Sequence, residues 1–269
     1  MDLQLVGKTA LVSGSTAGIG LAIAGGLAQE GATVYVNGRT EARVLQAMEQ
    51  VRALKAQVKQ SQGTVEGITA DLGTVEGCVE LFSQLPRVDI LVNNLGIFEA
   101  KLFAHISDDD WRRFFEVNVL SGVRLARAYL PGMLQKNWGR IIFISSESAQ
   151  QIPAEMIHYG MTKTAQVAVA RGLAESVAGT GVTINSVLPG PTASEGVGTY
   201  VEQIGKQQGI TKEQVEKQFF ADVRPSSLLK RFETPEEVAA VVAFVASTQS
   251  ATINGAAVRA EGGVVQSIF

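Results

Sequence analysis

Seven short apolar runs, separated by longer amphipathic stretches, constrain this chain more than any other feature. They are Thr9–Ser13, Thr33–Asn37, Val65–Thr69, Ile90–Asn93, Arg140–Ser145, Thr183–Val187 and Ala256–Arg259. Each is rich in aliphatic residues and nearly free of polar alternation, the pattern of strands covered on both faces. Between the runs, Ile19, Ile23 and Leu27 recur one helical turn apart, and Val238, Val241, Val242 and Val245 follow i, i+3, i+4, i+7. Both spacings predict helices with one apolar face. Strands alternating with helices through right-handed crossovers predict an α/β fold, a doubly wound parallel sheet with about seven strands and helices on both faces. No repeat, low-complexity tract or linker divides residues 1–269, so a single domain is expected. The one interruption is Pro189 to Arg231, which shows no clear strand, opens with Pro-Gly-Pro and turns helical and charged near Lys212–Lys217. Ordered excursions of this length often form lids, and a substrate lid at about 190–231 is expected.

Composition removes several classes of function. Apolar residues make up 46% of the chain and charged residues 18%, which suits a large buried core and excludes a disordered chain. The net charge is −3 with no basic run, so neither nucleic acid nor an anionic membrane is an expected partner. Cys78 is the lone cysteine, which excludes an internal disulfide and reads as a small buried apolar residue. With two histidines and one cysteine, a His/Cys metal cage is not expected, while carboxylate-held Mg²⁺ stays open on composition. Positions 9–29 carry no charge and at first suggest a spanning helix or a signal peptide. Five glycines and several hydroxyl residues interrupt that run, and an acidic Asp2 precedes it. A buried strand, a glycine turn and a buried helix fit better, and a soluble, cytoplasmic protein is expected.

The turn reads Gly14-Ser15-Thr16-Ala17-Gly18-Ile19-Gly20. Glycine permits a tight turn at positive φ and lets backbone N–H groups come close to a phosphate. The helix that follows adds its positive N-terminal end, making an anion site. With a strand before and a helix and second strand after, the turn reads as a dinucleotide site. The end of that second strand discriminates between cofactors, because an acid there binds a ribose 2′-OH and an arginine accommodates a 2′-phosphate. Here Gly38 stands where the acid is expected and Arg39 follows. Glu41 is a rival, but Thr40 resembles a helix N-cap and Glu41 a first-turn acid. NADP(H) is therefore preferred, with NAD(H) as the alternative.

Tyr159 and Lys163 lie at i, i+4 in a helical stretch and so share one face. A free phenol ionises near pH 10, roughly three units above neutrality, and a neighbouring ammonium favours the phenolate. Ser146 stands at the end of a predicted strand, at the carboxyl edge where such sheets place their ligands. Asn118 is a polar residue within an apolar helical stretch, where a relay role requires it to face the same crevice. His158 and Tyr159 are adjacent and point about 100° apart on a helix, so His158 is expected to be solvated or packed. For Glu147, a substrate contact is the lesser reading. Trp111, Trp138 and the phenylalanines are read as core or interface residues.

Taken in order, Gly14-x-x-x-Gly18-x-Gly20, Asp71, Asn93-Asn94-Leu95-Gly96, Asn118, Ser146, Tyr159-x-x-x-Lys163 and Pro189-Gly190 resemble the short-chain dehydrogenase/reductase family from Leu5 to Gly263. The resemblance implies a Rossmann-like fold and catalytic roles for Asn118, Ser146, Tyr159 and Lys163. Tyr159 would protonate a carbonyl oxygen as hydride arrives, and Ser146 would orient that carbonyl. Lys163 would lower the tyrosine pKa and hold ribose hydroxyls, while Asn118 would anchor a relay water. The implied cofactor-binding set is Gly14, Ser15, Gly18, Ile19, Gly20, Arg39, Asp71, Leu72, Asn94, Gly96, Tyr159, Lys163, Pro189, Gly190 and Thr192.

The chain departs from the family pattern in four places. Leu95 replaces an alanine, Ser13 a threonine and Glu261 an aspartate, and the glycine turn lacks the basic residue of many NADP-using relatives. The implied function is hydride transfer between NADP(H) and a small-molecule carbonyl or secondary alcohol, with a pattern most similar to 3-oxoacyl-(acyl carrier protein) reductase-like members. A sugar or steroid alcohol dehydrogenase using NAD(H) is the alternative enzyme, and a dinucleotide-sensing module the non-enzymatic one. The family also implies a homotetramer or homodimer, formed through about Asp108–Gln135, Glu155–Ala178 and Ala256–Gly263.

Overall fold

All seven apolar runs become strands, with boundaries within two residues of those expected. The computed structural model describes residues 1–58 and 61–268. Strands β1 (Thr9–Val12), β2 (Thr33–Gly38), β3 (Val65–Thr69), β4 (Ile90–Asn93), β5 (Gly139–Ile144), β6 (Val182–Pro189) and β7 (Ala257–Ala260) form one sheet. Its order is β3-β2-β1-β4-β5-β6-β7, with every neighbouring pair parallel. The helices are α1 (Gly18–Gln29), α2 (Glu41–Ala56), α3 (Val75–Gln84), α4 (Asp108–Phe115), α5 (Ser121–Gln135), α6 (Ile157–Ser176), α7 (Glu195–Gln208), α8 (Lys212–Gln218) and α9 (Pro235–Val245).

The two-residue period of a strand divides its side chains between two layers. Ala10, Val12, Ile90, Val92, Ile142 and Ile144 face the layer built on Ile23 and Leu27 of α1, Val44 and Val51 of α2, and Val238 and Val242 of α9. The intervening Leu11, Leu91, Ile141 and Phe143 face Leu81 of α3, Leu125 and Tyr129 of α5, and Ala170 of α6. Apolar demand on both faces is why these strands carry no polar alternation. Local chemistry starts several helices: Ser107 with Asp110 and Thr234 with Glu237 form capping boxes before α4 and α9, and Pro235 opens α9. Positions 9–29 become β1, a turn and α1, and among the described residues no helix is long and apolar enough to cross a membrane. Cys78 is buried, as expected.

Two features locate the site. The strand order reverses between β1 and β4, so connections leave their carboxyl ends in opposite directions and open a crevice there. The 190–231 segment is more regular than expected, with α7 and α8 joined at Gly209 in left-handed geometry (φ 66°) and a π-helical turn at Phe219–Val223. It closes on itself: Glu233 N donates to Pro191 O at 2.9 Å, and Ala193 N donates to Glu233 O at 2.8 Å. Tyr129, 2% exposed, donates its hydroxyl to Leu85 O at 2.9 Å beneath the sheet. Tyr129→Phe leaves that buried carbonyl unpaired and is expected to lower the unfolding free energy by about 1 kcal/mol, seen as an earlier urea midpoint at unchanged slope.

Candidate active site

Two carboxamides hold the glycine turn from opposite sides. Asn37 of β2 accepts from Gly14 N through Oδ1 at 3.2 Å, while its Nδ2 donates to Ile68 O (3.2 Å) and Ala70 O (3.1 Å). Ser15 N donates to Asn37 O at 2.9 Å, Asn37 N donates to Ser15 Oγ at 2.9 Å, and Ser15 Oγ donates to Val12 O at 2.7 Å. Just past β4, Asn94 Nδ2 donates to Ser13 O and Gly14 O, each at 3.0 Å. Asn94 thus fastens the turn with the side chain that the resemblance assigns to the cofactor. Gly14 and Gly18 take φ values of 59° and 54°, which L side chains rarely adopt. Ile19 and Gly20 lie in the first turn of α1. That helix has no side-chain cap from Ala17 and no acid in its first turn, so its leading N–H groups and positive dipole end are left for an external anion. A dinucleotide phosphate fits this arrangement.

At the end of β2, a Cβ on Gly38 would lie 2.4 Å from Thr16 Cγ2, which accounts for the missing acid. Arg39 is exposed beside it. Thr40 has N-cap backbone geometry but, contrary to expectation, makes no capping hydrogen bond, while Glu41 is the first-turn acid of α2. Asp71 is exposed beyond β3 and accepts from Gly73 N at 3.0 Å. Leu72 has its side chain in the core under α3, so only its main chain faces outward chemistry. Pro189 ends β6, Gly190 N donates to Glu233 Oε2 at 3.2 Å, and Thr192 Oγ1 donates to Gly190 O at 3.0 Å.

Ser146, Tyr159 and Lys163 converge past the end of β5. Ser146 caps a one-turn helix, Glu147–Ala149, by accepting from Ser148 N at 3.1 Å, and its hydroxyl lies near enough to the Tyr159 phenol to favour the phenolate. Lys163, 5% exposed, donates Nζ to Ile144 O at 2.9 Å and lies 5.6 Å from the centre of the Tyr159 ring. A Cβ on Gly96 would come within 3.5 Å of both Lys163 Nζ and Asn118 Oδ1, so these groups share one wall. Burial pushes the Lys163 amine down to about 8. Burial likewise pushes the Tyr159 phenol well above its ordinary value, and the Glu147 carboxylate adds to the rise. The expected lowering by Lys163 does not appear in this arrangement, in which the ammonium is directed to a backbone carbonyl.

Asn118 lies in a π-helical turn, Glu116–Leu120, between α4 and α5. Its Oδ1 accepts from Ile97 N at 2.8 Å, and its Nδ2 donates to Ile97 O and Thr162 Oγ1, both at 3.0 Å. It therefore ties the Gly96 loop to α6. His158 points away from the crevice, buried against Phe114 (4.1 Å between ring centres) and Trp111 (6.0 Å), a packing role. Trp138 packs on the core, 3.8 Å beneath Lys8 Nζ. Three functional contacts escaped sequence reasoning. Asn37 left one signal, a lone carboxamide at the end of an apolar run. Arg224, which binds Glu147, and Glu233, which binds Gly190, left none.

The family model described as short chain dehydrogenase matches residues 8–222. The uncharacterized oxidoreductase YvaG of Bacillus subtilis is 50% identical over 269 residues, covering 100% of both chains. The 3-oxoacyl-[acyl-carrier-protein] reductase FabG of Aquifex aeolicus is 33% identical over 264 residues, covering 98% of this chain and 100% of that one. Among solved structures, L-sorbose reductase from Gluconobacter frateurii, complexed with NADPH and L-sorbose, matches with a TM-score of 0.91, 30% identity and 100% coverage of both chains.

The lowered Lys163 pKa has a consequence for stability. Its folded value, about 8, lies below the roughly 10.5 of a solvated lysine, so between those values the unfolded chain binds more protons. This group therefore makes stability rise with pH across that window. In Lys163→Met that contribution is absent. The stability of the wild type relative to the variant is expected to rise by on the order of 3 kcal/mol between pH 7 and about 10.5, measured by urea unfolding across that range.

Proposed function

This chain belongs to the short chain dehydrogenase family, and we propose that it uses NADP(H) to interconvert a ketone and a secondary alcohol. The observation that carries this reading is the convergence of Ser146, Tyr159 and Lys163 at the carboxyl edge of the same sheet that presents the uncapped N-terminus of α1. Gly14, Ser15, Gly18, Ile19 and Gly20 would hold the pyrophosphate, and Arg39 the 2′-phosphate. Asp71 and the Leu72 main chain border the adenine end, and Pro189, Gly190 and Thr192 the nicotinamide end. NADPH, when bound, supplies the hydride.

The chain's own residues do the rest. Tyr159 gives its phenol proton to the carbonyl oxygen as negative charge develops there, and its raised pKa keeps that proton in place until then. Ser146, whose hydroxyl donates to Glu147, would turn that hydroxyl to the same oxygen once the carbonyl enters and fix its position. Lys163, charged below a pH of about 8, lies close enough to stabilise the phenolate left behind and to meet ribose hydroxyls. Asn118 acts by holding the Gly96 loop against α6, beside the place where a relay water would enter.

A 3-oxoacyl substrate is supported by the likeness to the Aquifex reductase. A ketose is the second reading, favoured by the full-length likeness to a reductase solved with L-sorbose and by the carboxylate of Glu147 beside Ser146. The 190–231 excursion is the proposed substrate lid. A shallow concavity of about 490 Å³, in which Trp111, Phe115 and Met161 lie beside Arg112 and Glu116, supports association of copies through α4 and α6.

Loss of the near-ultraviolet absorbance of NADPH over a panel of 3-oxoacyl thioesters and ketoses tests the reading, and no consumption with any of them overturns it. Tyr159→Phe is expected to bind NADPH normally and to lose at least about a hundredfold in kcat. Arg39→Ala is expected to weaken NADPH about tenfold by fluorescence titration while leaving NADH nearly unchanged. Equal effects on both cofactors would refute the 2′-phosphate assignment.

A further inference from the structure

The Ser146 hydroxyl beside Tyr159 is the start of a hydrogen-bonded chain that runs away from the phenol. Ser146 Oγ donates its own proton to Glu147 Oε2 at 2.5 Å. Glu147, 4% exposed, accepts from Arg224 Nε through Oε1 at 3.1 Å, and Arg224 is itself only 8% exposed. The guanidinium is fixed further by an Nη1 bond to Val223 O at 3.0 Å. An ionised carboxylate only accepts hydrogen bonds, so the serine proton must point toward Glu147. In this state the Ser146 oxygen accepts from Ser148 N at 3.1 Å, and its proton is turned away from the phenol. Arg224 comes from the 190–231 excursion, remote in sequence from the strand end that carries Ser146.

We propose that Glu147 and Arg224 form a positioning pair, in which Glu147 sets the direction of the Ser146 hydroxyl beside Tyr159 and Arg224 neutralises the charge that Glu147 places there. The proposal rests on the carbonyl reductase reading and adds to it two residues that act through Ser146 and Tyr159. A carboxylate here without its partner would oppose phenolate formation, and a guanidinium without the carboxylate would favour it. Both effects act on Tyr159 in those directions, Glu147 raising its pKa and Arg224 lowering it. The other charged groups nearby are Lys163, one turn along α6, and Glu233, which faces Glu147 from beside Gly190 and is pushed up to about 7 mainly by burial. Glu261 lies behind Glu233 and is paired with Arg259 Nε at 2.8 Å.

Alcohol oxidation with NADP⁺ supplies the test, because Tyr159 must then be a phenolate to accept the hydroxyl proton, and kcat/KM rises with pH through its pKa. Glu147→Gln keeps the shape and removes the charge, so the rise should move to lower pH. Arg224→Met should move it to higher pH, each by about one unit, and Arg224→Lys should leave it at the wild-type position. The same phenol can be followed without turnover, as the alkaline tyrosine absorbance difference between each protein and its Tyr159→Phe counterpart. Opposite displacements in the two charge-removing variants support the pair. Unmoved limbs accompanied only by lower melting temperatures, or displacements in the same direction, overturn it and leave the pair a structural clasp. Should Arg224→Met not fold, Glu147→Gln and Arg224→Lys still decide the question. Should the wild type turn over no ketone or alcohol, the reductase reading fails, and the absorbance titration alone judges the pair.

Discussion

A parallel sheet covered on both faces leaves polar chemistry almost nowhere to go except the ends of its strands. Side chains along β1, β4 and β5 point alternately into two apolar layers, where an unpaired charge or carboxamide is costly. The polar residues that matter are therefore displaced to the carboxyl ends. Asn37 and Asn94 reach back to the glycine turn there, Ser146 stands just past β5, and Gly190 just past β6. The reversal of strand order between β1 and β4 spreads those ends apart, so the turn and the serine border one crevice. The site is a direct result of how the sheet is wound.

Within that crevice, burial competes with charge. Tyr159 and Lys163 are both shifted by desolvation in the direction that disfavours their ionised forms. The ammonium meets a backbone carbonyl and no carboxylate, and so retains freedom to respond to a phenolate. The carboxylate beside Ser146, Glu147, is paired with Arg224. Opposing charges are thus arranged around a neutral phenol, an arrangement suited to a proton that is held at rest and released when a negative oxygen forms.

Those same constraints explain what the sequence reveals and what it conceals. Strands buried on both faces have no polar alternation, so all seven stood out as apolar runs. Tyr159 and Lys163 were visible because helical periodicity puts them on one face. The directions of their polar ends were not, since Lys163 Nζ answers to Ile144 O, a partner set by tertiary packing. Asn118 was found as a candidate, yet its bonds to Ile97 and Thr162 come from a loop and a helix that no local pattern links to it. Thr40 shows the reverse failure, a residue type suited to capping whose hydroxyl does not cap. The 190–231 segment looked strandless and was, but α7 and α8 carry too little apolar periodicity to stand out as a helix pair.

The clasp between Thr192 and Glu233 has an evolutionary consequence. Because the excursion leaves and re-enters the fold at one parallel bridge, its length and contents can vary without altering the register of β6 or the start of α9. Lengthening such a loop costs little entropy, which grows only with the logarithm of its length. Apart from Arg224, which reaches back to Glu147, the segment can be exchanged on a fixed chassis, and a lineage built this way can diversify what it recognises while its sheet stays unchanged.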